Sequence, residues 1–102
     1  MRRFACFAAI AAFAATAGAA EGDFKLDPAP GVEVVQRNCM VCHSADYIPM
    51  NSPIADRKGW EAEVAKMINA FGAPVPKEDV ETIVQYLTRH YSTQSPGAEM
   101  RK

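Results

Sequence analysis

Two cysteines and a histidine lie close together in the middle of the chain, in the string Cys39-Met40-Val41-Cys42-His43. Two thiols separated by two residues lie on one turn of the chain, where each can form a thioether bond to one of the two vinyl groups of a porphyrin. The imidazole that follows is placed to bind the porphyrin iron as its proximal ligand. The spacing therefore predicts one covalent haem c attached through Cys39 and Cys42, with His43 as an iron ligand.

Two other kinds of site share the C-x-x-C spacing. A redox disulfide of the thioredoxin type follows a strand in a βαβ unit, and no strand pattern precedes Cys39. A structural zinc ion requires four ligands, whereas the chain after Cys42 has no further cysteine and offers only the distant His90. The haem interpretation is therefore favoured over both.

A haem that carries electrons needs a sixth ligand that stays bound when the iron is reduced, and a methionine thioether meets this need. Met67 follows His43 by 24 residues, which is ample chain to reach the far side of a haem. Met50 follows His43 by only seven residues, a length that spans about 23 Å when fully extended. The spacing favours Met67 as the distal ligand, with Met50 as the alternative. A core-filling role for Met67 and a distal role for His90 are the weaker interpretations.

Trp60 has two roles open to it at the start of the middle predicted helix. Its indole N–H is a candidate donor to a haem propionate, which such a bond would stabilise. Its ring is equally suited to packing in a small core. Arg57 and Lys58 are candidates for positive charge near the same propionates.

Three helices are predicted to position these residues. Apolar residues recur at helical spacing over residues 31–42, from 56 or 57 to 71, and over 77–91. Gly72 is expected in the left-handed conformation that ends the middle helix. Residues 44–53 contain two prolines and are expected to form a loop without regular helix. No strand pattern occurs, so the sequence predicts an all-α domain of three main helices packed around one covalently bound haem.

The first twenty residues have the pattern of a secretory signal peptide. Arg2 and Arg3 precede an apolar run rich in Ala and Phe, and small residues at 17–20 form a cleavage zone. We expect residues 1–20 to be removed on export to the periplasm. An extended leader at 21–30, a haem domain at 31–92 and a flexible tail at 93–102 are expected to follow.

Removal of the signal peptide changes the charge and the cysteine count. It lowers the number of Lys and Arg from 11 to 9 against 12 Asp and Glu, so the formal charge moves from −1 to −3. A mildly acidic chain does not suit nucleic acid, and the apolar run is too short to remain as a membrane span. Only Cys39 and Cys42 are left, so we expect no disulfide framework. Because a domain of this size has little core, a covalent haem would supply much of its apolar interior.

Longer strings around the motif resemble a known family. Residues 42–53 read Cys-His-Ser-Ala-Asp-Tyr-Ile-Pro-Met-Asn-Ser-Pro, residues 59–75 begin with Gly-Trp, and residues 83–87 read Ile-Val-Gln-Tyr-Leu. The stretch from Cys39 to Tyr91 resembles the small haem c subunit of bacterial sulfite dehydrogenases, and the order of its helices resembles the class I cytochrome c fold. In that fold the first and last helices cross beside the motif, and the middle helix closes the far side of the haem.

The resemblance implies a division of labour. A larger molybdenum-cofactor subunit would oxidise sulfite, and this chain, not catalytic alone, would accept single electrons and pass them to a soluble cytochrome or an oxidase. We expect the docking face at residues 44–53 and at the haem edge held by the two cysteines, with Tyr47, Ile48 and Met50 at its centre. Two other functions stay open. One is a freely diffusing monohaem carrier, and the other is a haem sensor or peroxidase-like protein with an open sixth position.

Overall fold

The computed structural model describes residues 24–96, which form four helices and, within that range, no strand. The helices are α1 (Val32–Cys39), α2 (Tyr47–Asn51), α3 (Arg57–Asn69) and α4 (Lys77–His90). The predicted all-α class is thus confirmed. The predicted signal peptide and the last six residues of the predicted tail lie outside the described residues. Among those described, no helix combines the length and the apolar character that crossing a membrane requires.

The first and last helices pack closely at the start of α1. Gly31 precedes α1 with a φ of 95°, in the left-handed region. A Cβ atom at this position would lie 3.2 Å from Thr82 Cγ2 and 3.6 Å from Tyr86 Cβ, both on α4. The glycine therefore meets two demands at once, because it adopts the positive φ without strain and leaves room for α4. Val35, in the middle of α1, is fully buried, as the sequence predicts.

An ion pair joins α1 to α4 next to the Cys-x-x-Cys-His motif. Arg37 Nη2 lies 2.9 and 3.0 Å from the two carboxylate oxygens of Asp79, and the Asn38 amide donates to the same carboxylate at 2.9 Å. Asp79 is buried, and the hydrogen bonds from Asn38 and Arg37 hold the pKa of its carboxyl group below the ordinary value. Because Arg37 and Asn38 directly precede Cys39, this contact holds the end of α1 from which the motif begins.

Residues 47–51 form the short helix α2, so the prediction that this segment contains no helix is wrong. Pro49 is the third residue of α2, where a backbone N–H has no acceptor within the helix in any case. The side-chain amide of Asn51 donates to the carbonyl of Tyr47 at 2.8 Å and supports the single turn. Ile48, between them, is buried in the core.

Both ends of α3 are marked by polar or glycine residues. Asp56 caps its start, because the carboxylate accepts the N–H of Gly59 at 2.8 Å. The helix ends at Asn69, two residues before the predicted end, and Gly72 has the predicted left-handed conformation with a φ of 70°. The Ala73 N–H donates to the carbonyl of Met67 at 2.9 Å and turns the chain after the helix.

The core consists of one cluster of apolar side chains to which α3 and α4 contribute most. Most residues on the apolar faces of the three predicted helices are buried there or packed against it: Val32, Val35, Trp60, Val64, Ile68, Val80, Ile83, Val84, Leu87 and Tyr91. Met67, on the same predicted face of α3, is half-buried and is not part of this cluster. Phe71 differs, because it lies beyond the end of α3 and its side chain is exposed. Tyr86 is also buried, on the side of α4 that faces Gly31.

Residues 26 and 27 of the predicted leader pack against the helices. Leu26 belongs to the buried core. The Tyr86 hydroxyl donates to the carbonyl of Asp27 at 2.6 Å, and the Asp27 N–H donates to the hydroxyl of Tyr91 at 2.8 Å. The segment thus contributes an apolar residue and two hydrogen bonds to the domain that was predicted to begin at residue 31.

The start of the predicted flexible tail is also packed. The Thr93 N–H donates to the carbonyl of Ala55 at 2.9 Å, and the Arg57 N–H donates to Gln94 Oε1 at 3.2 Å. Ser92 and Ser95 are buried and bonded to each other. The polar composition of this segment predicts a flexible end, but Thr93 and Gln94 form hydrogen bonds to residues at or just before the start of α3.

We expect Asp79→Asn to lower the free energy of unfolding at neutral pH and to remove part of its acid dependence. The pKa of Asp79 is lowered in the folded protein from an ordinary value of 3.8. Its contribution is therefore complete above that value and is lost as the pH falls through the lower, folded value. The difference between the wild type and the variant should be largest at neutral pH and should shrink below about pH 4.

Urea unfolding followed by circular dichroism between pH 3 and 7 measures this difference. Glu78→Gln is the matched control, because Glu78 is exposed in the same first turn of α4. If both variants lose the same stability at every pH, the buried pair of Asp79 has no special role.

Candidate haem site

A cavity of about 390 Å³ lies between the end of α1, α2, α3 and α4. Cys39, Cys42, His43 and Met67 all line it, so the fold brings together four of the residues that the sequence singles out. The other lining residues are mostly apolar: Asn38, Tyr47, Ile48, Asn51, Trp60, Glu63, Val64, Phe71, Ala73, Val75, Ile83 and Leu87. The cavity thus offers an apolar ligand two thiols, an imidazole and a thioether.

The candidate distal ligands are placed differently. Met67 lies on α3 among the lining residues and is half-buried. Met50 lies on α2, is 69% exposed and is not a lining residue. His90 lies at the end of α4 away from the cavity, where its Nδ1 is 3.7 Å from Asp27 Oδ2 and its ring is 4.8 Å from that of Tyr86. Of the three, Met67 is the one on the cavity wall.

The two cysteines are unpaired and lie in an environment unlike that of a redox disulfide. Burial raises the pKa of the Cys39 thiol to about 11. Cys39 is the last residue of α1, at the negative end of the helix dipole, whereas reactive redox cysteines have lowered pKa values at helix N-termini. The site therefore disfavours thioredoxin-type chemistry and presents two thiols to the cavity.

His43 has one ring nitrogen occupied and the other available. Its Nδ1 lies 3.0 Å from the carbonyl oxygen of Ser44, which can only accept a hydrogen bond. The proton of the neutral ring must then lie on Nδ1, which leaves the lone pair on Nε2. Metal-bound histidines commonly donate their second N–H to a carbonyl in this way. The Tyr47 ring, 4.8 Å away, further restricts the imidazole.

Trp60 lines the cavity, but its polar atom is already engaged. The indole N–H donates to the carbonyl of Tyr91 at 2.7 Å, within the buried core. An indole has a single donor, so a hydrogen bond to a propionate would require breaking this one. Arg57 is engaged too, with Glu61 and Glu81 both at 2.9 Å. The polar groups of Trp60 and Arg57 are thus already bonded within the protein. Lys58, the third candidate for a propionate contact, is exposed.

Three polar residues on the wall were not identified from the sequence. Glu63 follows Trp60 by three residues and precedes Met67 by four, so helical spacing was the signal that would have found it. Asn38 sits beside the motif and is bonded to Asp79 and to the carbonyl of Val34. Asn51 lies on the wall because of α2, which the sequence did not predict.

Comparisons with known proteins do not identify a family for this chain. No protein-family model matches the chain, and a search of curated proteins finds no match. The assignment of a function therefore depends on the geometry of the cavity and on the chemistry of the residues that line it.

The donor set of the cavity fits a haem c. Within residues 24–96, no group of three or more His, Cys, Asp and Glu side chains is arranged to hold a metal ion. A haem iron does not need such a group, because the porphyrin supplies four nitrogens and the protein supplies the axial ligands. Two thiols, one imidazole with a free Nε2 and one thioether on an apolar wall are the groups that a six-coordinate haem c requires.

We expect Trp60→Phe to lower the free energy of unfolding by about 1–3 kcal/mol, because the buried carbonyl of Tyr91 loses its donor while an aromatic ring remains. Urea unfolding of the exported protein measures the change. Tyr47→Phe is the matched control, since it removes a polar group from an exposed aromatic residue on the same cavity. Equal stability of the two variants would contradict the importance of the Trp60 hydrogen bond.

Proposed function

We propose that this protein is a c-type cytochrome that carries single electrons through one haem c in the cavity. The observation that carries the proposal is that Cys39, Cys42, His43 and Met67 line one apolar cavity. The two thiols would hold the haem by thioether bonds, and His43 Nε2 and Met67 Sδ would bind its iron. When bound, the haem supplies a one-electron couple between ferric and ferrous iron.

The surroundings of the site favour electron transfer over reaction with oxygen or peroxide. Two protein ligands would leave no coordination position on the iron for a substrate. Oxygen-activating sites commonly place an Arg and a second His over the iron. Among the described residues that line the cavity, none is Arg and the one histidine is His43. These features support a closed electron carrier over a sensor or peroxidase-like protein.

The arrangement of the helices supports a class I cytochrome c fold. The contact between Gly31 and α4 and the hydrogen bonds from Arg37 and Asn38 to Asp79 hold the first and last helices together, the second of them directly before the motif. The middle helix α3 contributes Trp60, Val64 and Met67 to the cavity wall. We propose that the haem occupies the space between the motif and α3, as the resemblance to class I cytochromes implies.

The resemblance to the haem subunit of sulfite dehydrogenases supports a more specific proposal. The chain would be exported to the periplasm, would receive electrons from a molybdenum-cofactor subunit that oxidises sulfite, and would pass them to a soluble cytochrome or an oxidase. By itself it would not act on sulfite. Residues 1–20, with the pattern of a secretory signal peptide, support the location.

Exposed apolar side chains near the motif support a stable partner. Met40, Val41, Met50 and Ile54 are exposed and do not line the cavity. The sequence from 38 to 56 contains no Lys or Arg. An apolar surface with few charges favours stable association over a salt-sensitive encounter. Ile48, expected at the centre of this docking face, is buried in the core and is not available to a partner.

Optical spectra of the exported protein test the axial ligands. We expect a low-spin spectrum with the weak red-region band of methionine-to-iron coordination in the wild type, loss of that band in Met67→Leu, and its retention in the matched control Met50→Leu. The mass of the purified protein reports whether haem is attached. A protein without haem, or a high-spin spectrum that neither substitution alters, would contradict the proposed function.

Co-purification tests the proposed partner. We expect the chain, produced together with the molybdenum-cofactor subunit, to remain in a 1:1 complex at high salt, because the proposed docking face has few charges. Met50→Glu should weaken the complex, whereas Ala62→Glu, on an exposed position of α3, should not. Dissociation of the wild-type complex at modest salt would instead favour a freely diffusing carrier.

A further inference from the structure

One acidic residue lines the mostly apolar cavity. Glu63 lies on α3 between Trp60 and Met67, which also line the cavity. Among the lining residues in the described part of the chain, it is the one acidic residue, and none is Lys or Arg. Its side chain is 36% exposed, so it is partly withdrawn from water at the edge of the cavity.

Lys66 forms an ion pair with Glu63 from outside the cavity. Its Nζ lies 2.6 Å from Glu63 Oε1, and its side chain is 48% exposed. Lys66 is not among the lining residues. Glu63 is therefore part of the wall whereas Lys66 is not, which puts Glu63 nearer than Lys66 to a group bound in the cavity.

We infer that Glu63 lowers the reduction potential of the haem proposed above, and that Lys66 offsets part of this effect. The inference rests on the proposed function. Reduction adds one electron and no proton to the bound group, so a nearby negative charge opposes it and a nearby positive charge favours it. Partial exposure of both side chains weakens each effect through solvent and salt. Glu63 thus acts on the haem through its field, without being an iron ligand.

Midpoint potentials of the haem-loaded protein test this role. We would titrate the exported protein chemically with mediators, using dithionite as the electron donor, at neutral pH and low ionic strength. We expect Glu63→Gln to shift the potential upward and Lys66→Gln to shift it downward. The double variant should lie closer to the wild type than either single variant, because the two lost charges are opposite.

Glu61→Gln is the matched control. Glu61 lies on the same helix, also forms an ion pair with a basic residue, and has a side chain that is 49% exposed, but it does not line the cavity. It should shift the potential less than Glu63→Gln. Added salt should reduce the shift caused by Glu63→Gln, since exposed charges are screened.

The results separate this inference from the proposed function. The role of Glu63 is overturned if Glu63→Gln shifts the midpoint potential no more than Glu61→Gln does. It is also overturned if Glu63→Gln and Lys66→Gln shift the potential in the same direction. Both outcomes leave the proposed haem in place. If Glu63→Gln does not accumulate with haem, Lys66→Gln alone tests the sign, and an unchanged or raised potential overturns the inference. Absence of covalent haem from the wild type, shown by its mass, overturns the proposed function and this inference with it.

Discussion

The buried carboxylate of Asp79 is the contact on which the position of the motif depends. It lies in the first turn of α4 and accepts hydrogen bonds from Arg37 and Asn38, the two residues before Cys39. A buried carboxylate is stable only with such partners, so the end of α1 cannot move away from α4 without leaving a charge unpaired. Together with the close approach at Gly31, this contact fixes both ends of α1 and the direction in which the chain enters the motif.

Helix α4 and the residue after it form the contacts that hold α1, α3 and the segment around Asp27 together. The hydroxyl groups of Tyr86 and Tyr91 bond to the backbone of Asp27 in the leader, and the carbonyl of Tyr91 accepts the indole N–H of Trp60. The Tyr86 hydroxyl donates and the Tyr91 hydroxyl accepts in the bonds to Asp27, and burial raises the pKa of both hydroxyl groups. These bonds hold α3 and the residues around Asp27 against α4. A domain of this size still has a modest core, and an apolar group in the cavity would complete it.

In the proposed function, some groups of the cavity would bind a haem and one would tune its potential. The thiols, His43 and Met67 would determine that the ligand is a haem and that its iron is closed to substrates. Glu63 adds a negative charge to a wall that is otherwise uncharged, while Lys66 balances it from outside. Binding and tuning would therefore depend on different side chains, so that the potential of the site can change without loss of the ligands.

The motif and the main helices can be predicted from the amino-acid sequence, because both depend on local spacing. Cys39, Cys42 and His43 are neighbours in the chain, and the helical periods around residues 31–42, 56–71 and 77–91 reflect the faces that each helix buries. Two predictions from local sequence were wrong. Pro49 was expected to prevent a helix but lies in the first turn of α2, and Phe71 was expected on the buried face of α3 but follows its end and is exposed.

Contacts between residues that are distant in the chain depend on how the helices pack together. Whether Met67 or Met50 lies on the cavity wall depends on how α3 packs on α4, and whether the Trp60 N–H is free depends on the carbonyl of Tyr91, 31 residues away. The spacing of residues along the chain contains no information about such contacts, since they arise from the packing of whole helices. For the same reason Asp27, Thr93 and Gln94, which belong to segments of polar composition, are hydrogen-bonded to the helices or to residues next to them.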